Sequence, residues 1–381
     1  MVFGGLRLEN YRGFENYLLS DLARVNLLVG KNNCGKTSIL EAVQILASQG
    51  DPRILANIAV QRGETVTGVG RDRSTYPDIS HLFQGHHFRV GIHFRITAGI
   101  GSEGVSVRAV ESDNLDEAQQ FLFKEMARNR RSAVRRSPLV GPEPNFAVLI
   151  ESSSARKSPT ALPVTQNGTL IFDIYDSQID DFSDRQREST TPIRSITAES
   201  LELSSMREMW NKVLSESREG EVVQSLKILE PDVADIFLLS SSDYDGWGRS
   251  KFLVGFEDQK RKRIPLGSFG EGMRRMLALS LSLNQAQGGI LLVDEIDTGL
   301  HYSILGDMWL LVVNAAIQYD LQVFATTHSL DCIRGLAWLC ENHPELAGEV
   351  SVQKIDRRLD EAVALDSDEI QLAVDQNLEV R

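Results

Sequence analysis

Short apolar runs alternate with helix-like patterns at both ends of the chain. Val25 to Val29, VNLLV, is a nearly continuous apolar run that predicts a buried strand. Apolar residues recur at helical spacing from Ser38 to Ala47, which predicts a helix directly after a glycine-containing turn. After Pro265 the alternation returns, with helices predicted over Gly272 to Gln285 and Ile304 to Tyr319 and buried strands for GILLVDE and LQVFATTH. Strands that alternate with helices predict a parallel sheet with helices on both faces.

The middle of the chain lacks this regular order. A helix predicted from Asp116 to Arg136 ends in an arginine-rich stretch that prolines follow. Glu199 to Leu229 favours helix, and Ile236 to Phe256 favours two strands joined by the turn DYDGWGRS. The other predictions are strands at 87–96, 146–150 and 169–175, a loop at 63–73 and a polar linker at 177–194. We therefore predict one α/β domain in two halves, residues 1–100 and 226–381, with an inserted α+β region at residues 101–225.

Composition narrows the class of protein. With 42% hydrophobic and 24% charged residues, the 381-residue chain is typical of a folded globular protein. A net charge of −13 argues against broad, sequence-independent binding of nucleic acid, although it does not exclude a local basic groove. Three cysteines, Cys34, Cys332 and Cys340, form no disulfide framework, which fits a cytoplasmic protein. The apolar run from Met308 to Ile317 is too short to span a bilayer, so we expect no membrane contact.

The segment from Gly30 to Thr37, GKNNCGKT, matches the phosphate-binding pattern G-x-x-x-x-G-K-[ST]. It follows a predicted strand and opens a predicted helix, so its backbone amides and the helix dipole favour an anion. Lys36 is expected to reach the β- and γ-phosphates of ATP, and Thr37 to ligate Mg²⁺. The alternative is an ordinary tight turn, which this strand–turn–helix context disfavours. The expected nucleotide contacts here are Gly30, Asn32, Asn33, Cys34, Gly35, Lys36, Thr37 and Ser38.

Two adjacent acids, Asp294 and Glu295, end the apolar run ILLV. Asp294 is expected to hold Mg²⁺ through water, and Glu295 to polarise the water that attacks the γ-phosphate. Adjacent acids after a strand are also common at helix N-caps, so the pair alone leaves that alternative open. His328 ends the next apolar strand, where it can hydrogen-bond the γ-phosphate or the attacking water, or serve a structural role.

A second glycine-containing turn, SFGEG, precedes the helix predicted from Gly272. Its residues Ser268 and Gly270 stand where a helix start binds an anion. Taken alone, the turn is also explained as a loop with a helix N-cap.

The order of these motifs resembles that of the ATP-binding-cassette ATPases: a P-loop, Ser-x-Gly-Glu, apolar-Asp-Glu, and a histidine after a strand. The resemblance is to the soluble branch that includes the SMC proteins and the OLD (overcoming lysogenization defect) ATPases. LENYRGFENYLL is similar to the opening strands of that branch, and GEGMRRMLAL and DEIDTGLHYS look most like the OLD type. This resemblance implies a P-loop NTPase fold with a mixed sheet flanked by helices. It also implies Mg²⁺-dependent hydrolysis of ATP to ADP and phosphate.

The resemblance also implies a homodimer that holds each nucleotide between two copies. Ser268 and Gly270 would be signature residues that contact the γ-phosphate bound to the opposite subunit, although Phe269 stands where many relatives have glycine. Asp297 would be the D-loop residue that crosses the interface. The remaining roles fall to His328 as the switch histidine, Arg12 near phosphate and Gln84 as the Q-loop residue at the metal.

Two classes of biological function compete, and a transporter subunit is a third, weaker alternative because no membrane-facing partner helix is evident. The first is an ATPase switch or sensor that controls a separate effector, such as a Toprim-like nuclease in anti-phage defence, since the tail at 349–381 is too short for that nuclease domain. The second is a DNA-repair or DNA-maintenance ATPase that binds nucleic acid directly, although such machines usually carry long coiled coils and none is predicted here. The arginine run from Arg128 to Arg136 suits phosphate contacts or, alternatively, a solvated helix end.

Overall fold

A computed structural model describes residues 3–67, 75–99, 103–128, 145–153, 159–171, 191–196, 203–239, 251–258 and 260–375. The strands are β1 Leu6–Tyr11, β2 Phe14–Leu19, β3 Val25–Val29, β4 Thr65–Thr67, β5 Thr75–Pro77, β6 His93–Thr97, β7 Gly104–Glu111, β8 Phe146–Ser152, β9 Thr160–Val164, β10 Ile193–Ile196, β11 Val233–Leu239, β12 Lys251–Phe256, β13 Ile264–Pro265, β14 Ile290–Val293, β15 Gln322–Thr326, β16 Val350–Lys354 and β17 Val363–Leu365. The helices are α1 Lys36–Ala47, α2 Pro52–Gln61, α3 Glu117–Arg128, α4 Leu203–Ser215, α5 Glu219–Leu226, α6 Glu271–Gln285, α7 Leu305–Gln318, α8 Leu330–Asn342 and α9 Ser367–Asp375.

A mixed sheet in the order β10-β14-β15-β3-β16-β17 carries the predicted motifs. Its first five strands are parallel, and β17 joins antiparallel at the edge. Strand β15 lies between β3 and β14, so the P-loop, the acidic pair and the residues after β15 all follow neighbouring strands. The carboxyl ends of parallel strands meet at one edge of a sheet, where open α/β folds bind their ligands.

The two faces of this sheet bury different side chains. Leu27 and Val29 pack with helices α4 to α8 in one core, whereas Leu28 packs with α1 and α2 in another. This alternation follows from the period of two along a strand. The second core is closed by an antiparallel sheet in the order β2-β1-β6-β7-β8-β9, and α1 contacts strands of both sheets. The P-loop helix is therefore packed between two layers of strand.

Several predicted elements are confirmed: β3, α1, α6, α7, β14 and β15 lie within a few residues of the predicted ranges. The polar linker predicted at 177–194 is wrong at its end, because Ile193 begins β10 and pairs in parallel with Ile290. The predicted insertion at 101–225 thus contributes strands to both sheets, β7 to β9 to one and β10 to the other. The turn DYDGWGRS and most of the strand predicted at 169–175 lie outside the described residues.

The C-terminal tail holds a strand that the sequence analysis missed. Strand β16 pairs with β3 from Val350 opposite Val25 to Lys354 opposite Val29, so it is an internal strand beside the P-loop strand. The segment that follows supports the P-loop directly, as described below. No helix among the described residues combines the length and the apolar character needed to cross a membrane.

Candidate active site

The P-loop turns between β3 and α1 in a conformation that requires its glycines. Gly30 has a φ of 144° and Gly35 a φ of 102°, both in the region that side chains rarely adopt. A Cβ on Gly30 would lie 2.6 Å from the Ile355 carbonyl oxygen, after β16. Nearby, the Arg357 Nε donates to the Cys34 carbonyl oxygen at 3.1 Å. The segment after β16 therefore braces the outer side of the loop.

The ammonium of Lys36 lies inside the P-loop. Its Nζ donates to the carbonyl oxygens of Gly30 at 2.7 Å and Lys31 at 3.0 Å, and it is 3.3 Å from Nδ1 of His328. Burial lowers the pKa of the Lys36 ammonium, against the opposing effect of neighbouring Cys34, Asp294 and Glu295. Lys36 is 5% exposed, and its contacts are two carbonyl oxygens, the Cys34 sulfur and the His328 ring. A buried cation without a close carboxylate partner gains from a bound anion.

Asp294 joins the P-loop to the neighbouring strands. Its Oδ2 accepts from the Thr37 hydroxyl at 3.2 Å, and its Oδ1 accepts from the Thr326 hydroxyl at 2.5 Å. Thr326 is the last residue of β15, one position before Thr327. These contacts place two oxygen ligands, the Thr37 hydroxyl and the Asp294 carboxylate, side by side beneath the loop. Oxygen ligands of this kind suit Mg²⁺.

Glu295 and His328 lie beside Asp294 and are more exposed. The Glu295 carboxylate is 4.0 Å from Nε2 of His328, and their side chains are 46% and 40% exposed. The Thr298 hydroxyl donates to Glu295 Oε2 at 3.1 Å. Glu295 adopts a φ of 49°, in the left-handed region that is uncommon for a residue with a side chain. The predicted base and the predicted histidine therefore face one solvent-accessible position.

The predicted signature turn lies elsewhere on the surface. Ser268 and Gly270 are exposed, and a Cβ on Gly270 would meet no atom within 4 Å. Among the described residues, no hydrogen bond or ion pair joins Ser268 to the P-loop. The turn is instead close to the loop after β14, because a Cβ on Gly272 would lie 2.9 Å from the Gly299 carbonyl oxygen. Asp297 in that loop accepts from the Thr327 hydroxyl at 2.6 Å.

Arg12 is held by carboxylates. It is 5% exposed, its Nη1 donates to Glu64 at 2.7 Å, and its Nε lies 2.7 Å from Oε2 of Glu41. Arg62 contacts Glu41 at 2.6 Å and the Ser38 hydroxyl at 3.5 Å, so the network reaches the start of α1. A contact of Arg12 with phosphate stays a prediction, and it would have to compete with these two ion pairs.

Gln84 is half-buried in a short 3₁₀ turn, Gln84–His86, that follows Phe83. Phe83 forms an isolated bridge with Tyr11, so the turn lies near the end of β1. Its role at a metal stays a prediction. Of the other predicted P-loop contacts, Asn32 and Asn33 are exposed, Cys34 is half-buried and Ser38 is buried.

A family model matches residues 25–331, a span that runs from β3 past His328 and covers most of the chain. The family is AAA_21, described as "AAA domain, putative AbiEii toxin, Type IV TA system". The chain belongs to this family. The ATP-hydrolysing character of the family and the site geometry agree, and the protein is an ATPase.

One sequence relative that covers most of the chain supports the same activity, and two others match only a short segment. A protein described as an ATP/GTP phosphatase from Helicobacter pylori is 21% identical over 338 residues, which cover 86% of this chain and 85% of the relative. The DNA replication and repair protein RecF of Staphylococcus carnosus is 45% identical over 47 residues, only 12% of this chain and 13% of RecF. RecF of Bifidobacterium longum is 32% identical over 70 residues, 18% of this chain and 17% of RecF.

Among solved structures, an Smc head bound to the C-winged helix domain of ScpA covers 96% of this AAA_21 chain and 98% of its own. The TM-score is 0.47 at 11% sequence identity. The Smc head of Pyrococcus furiosus gives the same TM-score at 10% identity. Both TM-scores lie below 0.5. The fold is therefore assigned from the strand order and from the AAA_21 match. The specific resemblance to the OLD branch is not confirmed by these relatives.

Three residues of the AAA_21 site were missed by the sequence analysis. Thr326 binds Asp294 and also accepts from the Glu295 backbone N–H at 2.8 Å. Arg357 donates to the Cys34 carbonyl of the P-loop, and Arg275 of α6 donates to the backbone carbonyls of Asp294 and Glu295. Thr326 had a signal, because it directly precedes Thr327 and His328 at the end of the strand. The two arginines have no local pattern, since each contacts residues distant in sequence.

The site of this ATPase places groups suited to phosphate, to a cation and to a water molecule next to one another. Lys36 and the P-loop amides provide positive potential for a triphosphate, and Thr37 and Asp294 provide oxygens for a cation. Glu295 and His328 border the open position beside them, where a water molecule would be oriented. Such a site acts by positioning and by stabilising charge, which is how phosphoryl transfer is catalysed.

Proposed function

We propose that this AAA_21 ATPase works as a homodimer with ATP held between two copies. The observation that carries the proposal is the separation of its parts. Lys36, Asp294, Glu295 and His328 gather at one sheet edge, whereas the signature turn at Ser268 is exposed and makes no polar contact with the P-loop among the described residues. An exposed turn at a helix start is free to bind the phosphate held by a second copy.

Hydrolysis by the dimer would use Mg²⁺. The residues fit this ion, since the Thr37 hydroxyl and the Asp294 carboxylate lie 3.2 Å apart beside the buried Lys36. Thr37 and Asp294 would hold the ion, directly or through water. When bound, Mg²⁺ neutralises charge on the phosphate oxygens. Glu295 would then orient and polarise the attacking water, and His328 would contact the γ-phosphate or that water.

The biological role that we propose is a nucleotide-controlled switch. ATP binding would close the dimer and hydrolysis would open it, so that a separate effector, such as a Toprim-like nuclease, responds to the two states. We propose anti-phage defence as the setting of this switch; the AAA_21 description itself names a toxin–antitoxin system. Co-purification of the protein encoded by a neighbouring reading frame, compared between ATP-locked and ATP-free variants, tests the effector part.

The dimer is tested by the mass of the particle in solution. Glu295→Gln protein should shift from monomer to dimer when ATP and Mg²⁺ are added, because it binds ATP and hydrolyses it slowly. Adding Ser268→Arg to that variant should abolish the shift, since a long cation would occupy the position of the opposing γ-phosphate. Light scattering after size exclusion measures both masses, and calorimetry checks that ATP affinity is unchanged by Ser268→Arg. A dimer that persists with Ser268→Arg contradicts the proposed interface.

A DNA-maintenance ATPase is the second candidate, favoured by the local RecF identity of 45% over 47 residues. In that case the arginine run from Arg128 to Arg136 would contact phosphates; these side chains lie outside the described residues. Binding of a DNA duplex should then weaken steeply with salt and disappear when Arg128, Arg130, Arg131, Arg135 and Arg136 are changed to glutamine. A fluorescence anisotropy titration at low salt with no binding by the wild type removes this candidate.

A further inference from the structure

Arg275 is a buried arginine next to Asp294 and Glu295. It has no part in the proposed hydrolysis mechanism. It lies on α6 and is 2% exposed. Its Nη2 donates to the carbonyl oxygens of Asp294 and Glu295, both at 2.7 Å. Its Nη1 is buried without a hydrogen-bond partner, and no carboxylate oxygen among the described residues lies within ion-pair distance of Arg275.

This arrangement is costly for the fold. A buried guanidinium loses its hydration, and here neutral carbonyls replace the usual carboxylate partner. Burial lowers the pKa of Arg275, against the opposing charges of Asp297, Glu295, Asp294 and Glu271. An apolar side chain of similar length would fill the same space without this cost. The cation therefore has a use that packing alone does not explain.

The two carbonyls that Arg275 binds define the conformation of one residue. The Asp294 carbonyl belongs to the peptide before the Glu295 Cα, and the Glu295 carbonyl belongs to the peptide after it. A single Nη2 holds both, so it fixes the two backbone dihedrals between them. Glu295 has the unusual φ of 49°, and its side chain direction depends on that value. The Thr326 hydroxyl, which accepts from the Glu295 N–H at 2.8 Å, completes the clamp.

Arg275 also connects Glu295 to the signature turn. It lies four residues after Glu271, the first residue of α6, and that helix begins immediately after Gly270. The start of α6 is packed against the loop after β14, since a Cβ on Gly272 would lie 2.9 Å from the Gly299 carbonyl oxygen. A displacement of the signature turn would thus be passed through α6 to the backbone of Glu295.

We propose that Arg275 is a positioning residue that aims the Glu295 carboxylate at the attacking water and couples it to the signature turn. The inference rests on the proposed role of Glu295. Loss of Arg275 should therefore lower turnover and leave nucleotide affinity unchanged. The residues expected to bind the nucleotide, Lys36 and Thr37, make their hydrogen bonds to other groups.

The test compares Arg275→Met, Arg275→Lys and the control Arg108→Met. Arg108 is an exposed arginine of β7, and its Nη2 lies 4.0 Å from Oε1 of Glu151. We expect Arg275→Met to lower kcat about 100-fold, as a misplaced catalytic group does, with the Kd for a non-hydrolysable ATP analogue within about twofold of wild type. Arg275→Lys keeps a cationic donor, so its kcat should lie between that of Arg275→Met and that of wild type. Arg108→Met should have the kcat of wild type.

A double-mutant cycle separates positioning from general support of the fold. If Arg275 acts through Glu295, then Arg275→Met should cause no further loss of kcat in a Glu295→Gln background. If the loss of kcat in the double variant equals the product of the two single losses, the proposal is overturned. A folded Arg275→Lys or Arg275→Met variant with wild-type kcat also overturns it. If Arg275→Met does not fold, the same cycle is run with Arg275→Lys. Wild-type turnover of Glu295→Gln alone would instead refute the proposed role of Glu295, and this inference with it.

Discussion

Replacing Glu295 with glutamine should reduce ATP hydrolysis by about 10²–10⁴-fold, the range typical of a lost general base. Glutamine keeps the shape of the side chain but cannot accept a proton. The Glu295 carboxylate is exposed and lies 4.0 Å from Nε2 of His328, so the substitution changes chemistry at an accessible position rather than packing. Phosphate release under saturating ATP measures the loss.

ATP affinity should survive the same substitution. Lys36 and Thr37, which are expected to contact the phosphates and the ion, make no hydrogen bond to the Glu295 side chain. Calorimetry with the variant should therefore give a Kd close to that of wild type. Glu341→Gln, a matched change at an exposed position of α8, should leave both quantities unchanged. Turnover near wild type in Glu295→Gln would show that another group orients the water.

Mixing two inactive variants should restore activity. Lys36→Ala removes the cation inside the P-loop, and Ser268→Arg blocks the signature turn, so each homodimer carries a defect in both of its sites. A heterodimer has one doubly defective site and one site that combines an intact Lys36 from one chain with an intact Ser268 from the other. With equal amounts, random pairing and independent sites, about a quarter of all sites in the mixture should be intact. The expected activity is therefore about a quarter of the activity of the same amount of wild type.

The mixing experiment has its own control. The two variants carry different affinity tags, and their ATP-dependent co-purification shows that heterodimers form. Each variant alone, assayed at the same total concentration, sets the background. Background activity in a mixture that contains heterodimers would mean that Ser268 acts within its own chain or that two intact sites must act together.

The sequence predicted those parts of the site that have a local signature. The P-loop carries its glycines, lysine and threonine in eight consecutive residues, and the acids follow an apolar run, so each could be recognised without knowledge of the fold. Their meeting at one sheet edge follows from the rule that parallel strands end on the same side. In the structure the two motifs meet there, with the Thr37 hydroxyl 3.2 Å from Asp294 Oδ2.

The parts that were missed depend on contacts between distant segments. Strand β16 has the short pattern VSVQK, which is ambiguous until its pairing with β3 is known. The family resemblance implied a place for Arg12 near phosphate, and no local pattern indicates that Glu41 and Glu64 lie beside it. Arg275 was one of two adjacent arginines in an amphipathic helix, and only the packing of α6 against the loop after β14 shows which one is buried.

The most direct test of the shared site uses a heterodimer of wild type with the double variant Lys36→Ala, Ser268→Arg, purified through both tags. If Ser268 serves the nucleotide of the opposite subunit, each site of this heterodimer pairs one intact residue with one defective residue. Phosphate release should then stay at the background rate of the double variant. Release at about half the wild-type rate per dimer would mean that the wild-type chain holds a complete site by itself, and the shared-nucleotide dimer would be contradicted.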